Sequence, residues 1–466
     1  MLFELRVADA VTAIEGPLLF LRRTVNVGLN DAVEVSMEGG RQRIGRVVAI
    51  EGDQVVVELL EDTTGLGVED VQVRFHGEPM MMALGPGLLG RVFDGLGRPR
   101  DGGAPVAAKV EKRIDLAVIN PAERGLPQDF IQTGVSSIDV LNSLVRGQKL
   151  PIFSAGGLPH DKLAISIAQS ARLLREDAQS FAVVFCGIGV SHDSAEAFRA
   201  AMEESGALEH TAMFLNLASE PTAQRLLTPR FALTAAEYLA FEEGRHVLVI
   251  LTDMTNYCEA LREVSASHGE IPSRKGYPGY MYSDLATIYE RAGWIEGGQG
   301  TVTQLPILTM PADDISHPIP DITGYITEGQ VVLDRGLDHK GIYPPIEVKS
   351  SLSRLMDQGI GAGFTDPDHP ALAQQLFASY AQAGRVRILA SVVGREGLTA
   401  TDRLYLDFGD RFEAEFVQHA EMRSIEQSMG IGWDVLGLLP PSELTRLSDA
   451  QIAAHIRARG AEENDG

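Results

Sequence analysis

The stretch PIFSAGGLPHDKLAISIAQSA, residues 151–171, contains an apolar run, a turn with two glycines and a helical pattern in direct succession. A strand, a tight turn and a helix in this order form the setting in which many α/β proteins hold a phosphate group. The residues at this turn differ from those that a phosphate-binding loop needs. The stretch therefore predicts the fold, and its chemistry has to be tested residue by residue.

The same alternation of apolar runs and helical patterns continues along the chain from about 75 to 350. It predicts a parallel sheet with helices on both faces, and ligands of such sheets bind at the carboxyl ends of the strands. The predicted strands are KLPIFS (149–154), FAVVFC (181–186), AMFLNL (212–217), HVLVIL (246–251) and TQLPIL (303–308). The predicted helices lie near 161–175, 192–205, 230–242, 256–267 and 284–292.

The two flanking regions have different patterns. Residues 1–74 read as short strands, with a hairpin formed by IGRVVAI (44–50) and QVVVELL (54–60), and they predict a small barrel or sandwich. Residues 351–466 read as helical. Thr399 and Asp402 resemble a capping pair, and a core-facing stripe follows at Leu404, Phe408, Phe412 and Phe416. The predicted domains are therefore 1–74, 75–350 and 351–466.

Composition excludes several classes of protein. The 466 residues carry 40 basic and 64 acidic side chains, a net charge of −24, which argues against a nucleic-acid partner. Cys186 and Cys258 lie in apolar runs and are expected to be buried thiols in a reducing compartment. With no signal-peptide pattern, no membrane-spanning run and no metal-ligand spacing, we expect a cytoplasmic chain without a metal site.

The turn fails the phosphate-loop pattern G-x-x-x-x-G-K-[ST] in both possible registers. One register loses both glycines, the lysine and the hydroxyl. The other keeps Gly156 and Lys162, but it puts Asp161 in the cradle and Leu163 in the place of the magnesium-binding hydroxyl. Two like charges about 4 Å apart repel by about 4 kcal/mol at an effective dielectric of about 20. Pro159 also removes a backbone N–H, so this turn should bind ATP poorly and not hydrolyse it.

Two further strand ends bear on hydrolysis. HVLVILTDMT ends in Asp253, where ATPases of this architecture place the carboxylate that orders the water shell of magnesium. FCGIGVSH ends the second strand, where a hydrolase needs a carboxylate to orient the attacking water. Val190 and Ser191 stand there instead, and neither side chain can do this.

Four long segments resemble the non-catalytic B subunit of V/A-type rotary ATPases. They are FIQTGVSSIDVLNSLVRGQKLPIFSAGGLPH (130–160), YLAFEEGRHVLVILTDMTNYCEALREVSA (238–266), EIPSRKGYPGYMYSDLATIYERAG (270–293) and HPIPDITGYITEGQ (317–330). IEGPLLF and LGRVFDGLGRPRDGG resemble the N-terminal barrel of that family and its exit, and the resemblance covers about 14 to 450.

The resemblance implies an N-terminal β-barrel, a central RecA-like domain and a C-terminal helical bundle. It also implies that three such chains alternate with three catalytic A subunits around a central stalk, with peripheral stalk subunits. Such a ring couples ATP synthesis or hydrolysis to proton or sodium flow through a membrane sector, so the chain would be peripheral to the membrane. The turn would then be a degenerate nucleotide site, weak or vestigial for ATP or ADP, made of Gly156, Gly157, His160, Asp161, Lys162 and Asp253.

One residue is implied to take part in catalysis. In SLSRLMDQGIG, Arg354 matches the arginine finger of the family, which would reach the Mg-ATP in the catalytic partner. Tyr343 precedes two prolines and is interpreted as a positioning element on the way to that arginine. The residues alone leave two other classes open, a RecA-like hexameric ATPase and a free-standing nucleotide-binding scaffold.

Overall fold

The computed structural model describes residues 6–8, 11–37, 42–69, 71–115, 119–174 and 180–457. These residues form two compact units. The first unit draws on residues up to 119 and on 182–243 and 251–291, and the second on 120–181, 244–250 and the chain from 292 onward. Each unit is described separately below.

Strands alternate with helices between residues 152 and 332, within the region where the sequence predicted this alternation. The strands are β1 (Arg6–Ala8), β2 (Val11–Glu15), β3 (Leu18–Arg22), β4 (Asp31–Met37), β5 (Arg43–Glu51), β6 (Gln54–Leu59), β7 (Val71–Pro79), β8 (Met81–Leu84), β9 (Arg91–Asp94), β10 (Val110–Arg113), β11 (Phe130–Gln132), β12 (Leu144–Val145), β13 (Ile152–Ala155), β14 (Arg172–Leu173), β15 (Phe181–Val190), β16 (Thr211–Leu217), β17 (His246–Thr252), β18 (Gly293–Trp294), β19 (Thr301–Met310), β20 (Gly329–Val332) and β21 (Leu352–Ser353).

The α-helices are α1 (Ser136–Asp139), α2 (His160–Ser170), α3 (His192–Ser205), α4 (Thr222–Phe241), α5 (Met254–Ser267), α6 (Met281–Tyr289), α7 (Pro318–Ile326), α8 (Arg335–His339), α9 (His369–Val393), α10 (Ala400–Arg411), α11 (Ile425–Leu436) and α12 (Asp449–Gln451). Two π-helical segments continue α10 and α12 over Phe412–Val417 and Ile452–Arg457.

The first unit begins with a seven-stranded antiparallel sheet in the order β1-β7-β4-β5-β6-β3-β2. The predicted hairpin is confirmed, since β5 pairs with β6 from Glu51–Gln54 outward. Gly52 takes a left-handed φ of 57° at this turn, which a glycine adopts without steric cost. Alternate valines and leucines of these strands turn inward and form one buried cluster. The domain boundary at 74 falls inside β7 and stays a prediction, as does the boundary at 350.

The rest of the first unit contains parallel pairs of β16 with β15 and with β9. Helix α4 begins at Thr222, eight residues before the predicted start near 230. It is buried on nearly all sides and contains Pro229, so it has neither a polar face nor an uninterrupted pattern to mark its first turns. Cys186 and Cys258 are both fully buried, as predicted, and burial raises the pKa of each thiol.

In the second unit, β13 lies between β19 and β20 and is parallel to both. β21 pairs antiparallel with β20 and ends the sheet. Helix α2 stops at Ser170, short of the predicted 175. Residues 172–173 instead form β14, which pairs with β11, so a strand partner outside the local sequence overrides the helical pattern.

The chain after β21 is helical, as predicted, and the capping box of Thr399 and Asp402 is present. Phe408, Phe412 and Phe416 are fully buried and stack on one another. The prediction for Leu404 was wrong, since it is 36% exposed. Residues four apart are offset by about 40° around an α-helix, and this offset turns Leu404 from Phe408 toward solvent within α10.

Candidate functional site

The turn after β13 lies at the carboxyl end of a parallel strand, where the sequence placed it. Gly156 and Gly157 are both exposed, and Gly157 has a φ of +84°. A Cβ atom at either glycine would meet no atom within 4 Å. Among the described residues, the space where a side chain would extend from either glycine is therefore open.

Two backbone N–H groups of this turn form hydrogen bonds within the turn. The N–H of Leu158 donates to the carbonyl of Ala155 at 3.0 Å, and that of His160 donates to the carbonyl of Leu158 at 2.9 Å. Pro159, between them, has no N–H to offer. A phosphate cradle requires several N–H groups that converge on an outside anion, and three consecutive positions here provide none.

The side chains at the start of α2 are also engaged within the chain. His160 Nδ1 lies 3.1 Å from Ser154 Oγ, and its Nε2 lies 3.5 Å from a carboxylate oxygen of Asp161. The ammonium of Lys162 lies 4.0 Å from the ring centroid of Tyr343, a cation–π contact. The lysine left over from a phosphate-loop pattern thus has an aromatic partner, and Asp161 places a carboxylate at the helix start.

Sequence reasoning missed a second cation at this turn, Arg335. Its Nη2 donates to the carbonyl of Gly156 at 2.9 Å, and its guanidinium also binds both carboxylate oxygens of Asp313 at 2.9 and 3.1 Å. Hydrogen bonding to Arg335 lowers the pKa of Asp313 below its ordinary value. Residues 156, 313 and 335 are too far apart in the chain for any local pattern to link them.

Asp253 belongs to the first unit, whereas the other five residues predicted for the nucleotide site belong to the second. It is the N-cap of α5, and its Oδ1 accepts the N–H of Thr255 at 2.7 Å. Its part in a nucleotide site stays a prediction.

The end of β15 carries no carboxylate at the two positions singled out. Val190 is buried, and Ser191 caps α3 by accepting the N–H of Ser194 at 3.0 Å. The preceding Gly189 donates its N–H to Oδ1 of Asn216 at 3.0 Å. These groups hold the strand end in place and contain no base that could orient a water molecule.

Arg354 directly follows β21. Its backbone N–H donates to the carbonyl of Glu328, and its Nη1 donates to the carbonyl of Thr327, each at 2.9 Å. The residue is nevertheless exposed. Arg354 thus carries a permanent positive charge that is exposed to solvent, while two hydrogen bonds hold its backbone and its guanidinium in place.

Exposure alternates along this segment. Ser351 and Ser353 are buried, whereas Leu352 and Arg354 are exposed. Ser353 Oγ donates to the carbonyl of Ser143 at 2.9 Å, and Ser351 Oγ accepts a backbone N–H of β20 at 2.9 Å. Because side chains of a strand alternate between faces, the two pinned serines fix which way the arginine points.

Within the described residues, no group of three or more His, Cys, Asp or Glu side chains has an arrangement that could hold a metal ion. None of the described helices combines the length and the apolar character that a membrane crossing requires.

Models of three protein families match the chain in succession. The beta-barrel domain of the ATP synthase alpha/beta family matches residues 11–77, the nucleotide-binding domain of that family matches 134–353, and the C-terminal domain of V and A type ATP synthase matches 358–456. These matches confirm the predicted fold class: an N-terminal β-barrel, a central parallel-sheet domain of the nucleotide-binding type and a C-terminal helical domain.

Full-length relatives narrow the assignment. The chain is 54% identical to the B subunit of the A-type ATP synthase of Methanothrix thermoacetophila over 95% of this chain and 96% of the relative. It is 52% identical to the V-type ATP synthase beta chain of Halothermothrix orenii over 96% and 97%. The solved structure of the ATP synthase subunit NeqB from Nanoarcheaum equitans aligns with a TM-score of 0.73 at 38% identity, over 91% of this chain and all of that chain.

The fold and the domain matches together define a member of the alpha/beta class of ATP synthase subunits. Within this class, the chain belongs to the family of B subunits, also called beta chains, of A- and V-type ATP synthases. The resemblance stated from the sequence is therefore confirmed.

Proposed function

We propose that this chain is the non-catalytic, regulatory member of its ATP synthase and acts on an ATP site that lies in a neighbouring subunit. It alternates with catalytic A subunits in a hexameric ring, together with central and peripheral stalk subunits. The ring couples ATP synthesis or hydrolysis to proton or sodium transport through a membrane sector. The high identity to a B subunit of an A-type ATP synthase and to a beta chain of a V-type ATP synthase supports this assignment.

The exposed, backbone-held Arg354 is the observation that carries the proposal. Its anchoring bonds to Thr327 and Glu328 leave the residue open to solvent. A planar, always-charged guanidinium suits the charge that spreads over a γ-phosphoryl group during transfer. In this proposal Arg354 contacts the Mg-ATP of the neighbouring catalytic subunit as an arginine finger in trans.

The turn after β13 supports the non-catalytic half of the proposal. The N–H groups of Leu158 and His160 bond within the turn, Lys162 lies on Tyr343, and Asp161 brings a carboxylate to the helix start. These residues do not fit a tight polyphosphate cradle, so ATP or ADP binds this chain weakly or not at all. No hydrolytic step is assigned to this chain alone.

The test compares ATP hydrolysis by the complex co-purified with this chain, wild type against Arg354→Ala. We expect a loss of roughly 10³–10⁵-fold, the range that arginine fingers contribute, while the ring remains intact by size. Arg385→Ala is the matched control, because Arg385 is also exposed but lies on α9. It should change hydrolysis by less than about twofold.

Three results would contradict the proposal. Less than about a tenfold loss with Arg354→Ala would remove this residue from the mechanism. Hydrolysis by the isolated chain at rates typical of enzymes, about 1–10³ s⁻¹, would favour a hexameric ATPase. A chain that never co-purifies with other subunits would instead favour a free-standing scaffold.

A further inference from the structure

An ion pair lies directly behind the backbone anchor of Arg354. Lys149 is only 4% exposed in the segment before β13, and its ammonium lies 2.7 Å from Oε1 of Glu328. Glu328 is the residue whose carbonyl accepts the N–H of Arg354 at 2.9 Å. Lysines are almost never fully buried unless their charge is paired, and here the carboxylate of Glu328 pairs it. We call Lys149 and Glu328 the anchor pair.

The two residues of the anchor pair are joined at three points. Besides the contact of the ammonium, the N–H of Lys149 donates to Oε2 of Glu328 at 2.8 Å. In return, the N–H of Glu328 donates to the carbonyl of Lys149 at 3.1 Å. Both carboxylate oxygens and the backbone of Glu328 are thus bound to one residue, which fixes the place of its carbonyl relative to β13.

A second side chain of the same segment reaches the same carbonyl. Nε2 of Gln148 donates to the carbonyl of Glu328 at 3.2 Å and to Oγ of Ser353 at 3.0 Å. Glu328 lies opposite Arg354 in the backbone ladder, and Ser353 precedes it in the chain. The segment before β13 therefore holds Arg354 from two directions.

Stability is a weak reason for such a pair. The cost of taking the ammonium of Lys149 out of water offsets much of its attraction to the carboxylate, so a buried ion pair often adds little net stability. Charge-assisted hydrogen bonds are short and directional, so the anchor pair does restrict geometry strongly. The geometry that it restricts is that of the carbonyl on which Arg354 hangs.

Lys149 is not placed to bind a phosphate at the turn after β13. The four residues of β13 separate it from that turn, a rise of about 13 Å along the strand. Its ammonium is instead bound to Glu328, on the side of the sheet edge where Arg354 begins.

We infer that Lys149 and Glu328 are positioning residues, which hold the Glu328 carbonyl so that Arg354 presents its guanidinium at the depth and angle that a phosphate outside this chain requires. Arg354 touches the nucleotide, and the anchor pair acts only through Arg354. The inference rests on the proposed function and adds two residues to it.

The test removes both charges together, because a single removal leaves the other charge buried and unpaired, which destabilises the chain. In the double variant Lys149→Met/Glu328→Gln, the glutamine carbonyl can still accept the backbone N–H of residue 149. Thermal unfolding of the isolated chain shows whether the variant is folded, and ATP hydrolysis is measured in the co-purified complex.

We expect kcat to fall by roughly ten- to a hundredfold, the effect of a displacement of about 1 Å at a reacting group, with KM unchanged within about twofold. The matched control is Lys112→Met/Glu242→Gln, which removes a lysine–glutamate pair of 2.6 Å in the other unit. The control should change kcat by less than about twofold.

A combination with Arg354→Ala distinguishes positioning from general damage. If the anchor pair acts through Arg354, its removal in the Arg354→Ala background should lower kcat by less than about a further twofold, as measured over a single turnover. A further ten- to hundredfold loss in that background would overturn the inference, as would an assembled double variant with wild-type kcat.

If the double variant does not enter the complex, Glu328→Asp provides the same test. It keeps both charges but shortens the carboxylate arm by one carbon, so it should lower kcat by about tenfold at unchanged KM. Wild-type kcat in Glu328→Asp would then overturn the inference.

Arg354→Ala alone separates the two possible failures. If Arg354→Ala has no effect, the proposed function itself fails. If Arg354→Ala abolishes hydrolysis but removal of the anchor pair has no more effect than the control, the proposed function stands and the assignment of Lys149 and Glu328 is wrong.

Discussion

The turn after β13 and the segment after β21 belong to the same unit, and both carry positive side chains near the end of a strand. At the turn, Lys162 lies on Tyr343, and Arg335 binds Asp313 and the Gly156 carbonyl. At the end of β21, the backbone bonds hold Arg354 while the residue stays exposed. The two cations at the turn are thus bound within the chain and stabilise its structure, whereas the exposed Arg354 is available to contact another molecule.

The largest expected difference in hydrolysis between the two regions comes from replacing one glycine in each region by alanine. A Cβ at Gly329 would lie 2.2 Å from the carbonyl oxygen of Leu352, and its φ of +149° is unfavourable for other residues. Gly329→Ala should therefore push β21 away from β20 and displace Arg354. We expect hydrolysis by the complex to fall by roughly a hundredfold or more.

Gly156→Ala is the matched change at the turn. A Cβ there meets no atom within 4 Å. The free energy of unfolding should therefore change by less than about 0.5 kcal/mol and the rate of hydrolysis by less than about twofold. Thermal unfolding of each isolated variant shows whether the chain is still folded. A loss of about 1–3 kcal/mol in stability is the usual cost of overpacking and would be consistent with a local displacement. A strong effect of Gly156→Ala on hydrolysis would show that a ligand approaches this backbone closely, and the contrast between the two regions would fail.

Much of this contrast could be predicted from the sequence, because it depends on which residues are present. The missing hydroxyl at Leu163, the carboxylate of Asp161 and the strand–turn–helix setting are all local features of one stretch. Resemblance to the family directed attention to Arg354, which no spacing rule would have selected. The buried Phe408, Phe412 and Phe416 followed from helical periodicity, which reports burial directly.

The rest depends on contacts between distant parts of the chain. Arg335 reaches Gly156 and Asp313 across the fold, and Lys162 meets Tyr343. Neither pairing follows from sequence spacing. The early end of α2 has the same cause. Residues 172–173, which the helical pattern assigned to α2, pair with β11 instead.

The second prediction concerns how firmly the surroundings of the turn are held. The N–H of His419 donates to the carbonyl of Tyr343 at 2.8 Å, while Nε2 of its ring accepts the N–H of Ser136 at 3.3 Å. Burial lowers the pKa of His419 to about 4. The unfolded chain takes up this proton near pH 6.5 and the folded chain only near pH 4, so stability falls as the pH drops between these values.

Urea unfolding of the isolated chain should measure this loss as about 1.5 kcal/mol between pH 6.5 and 5. His419→Gln should remove that share of the pH dependence, because glutamine can still accept a hydrogen bond but does not titrate. His339→Gln is the control, since His339 is exposed at the end of α8, and it should retain the wild-type dependence. If His419→Gln and wild type lose stability in parallel, the histidine is not held neutral, and Tyr343 is less rigidly supported than we infer.

The smallest expected effect belongs to Asp161→Lys in the isolated chain. The change replaces a carboxylate that repels phosphates, so calorimetry with ATP should show up to about a tenfold gain in affinity. That is well below the repulsion of about 4 kcal/mol expected for a close pair, because Asp161 is partly solvated. Hydrolysis should stay absent, since Val190 and Ser191 provide no base for the attacking water.

The control Asp161→Asn separates loss of the negative charge from gain of a positive one, and it should give a smaller gain in affinity for ATP. Turnover of ATP at about 1 s⁻¹ or faster in Asp161→Lys would mean that a single substitution makes the turn a working hydrolytic site. The turn could then no longer be contrasted with Arg354 as a region without a catalytic role.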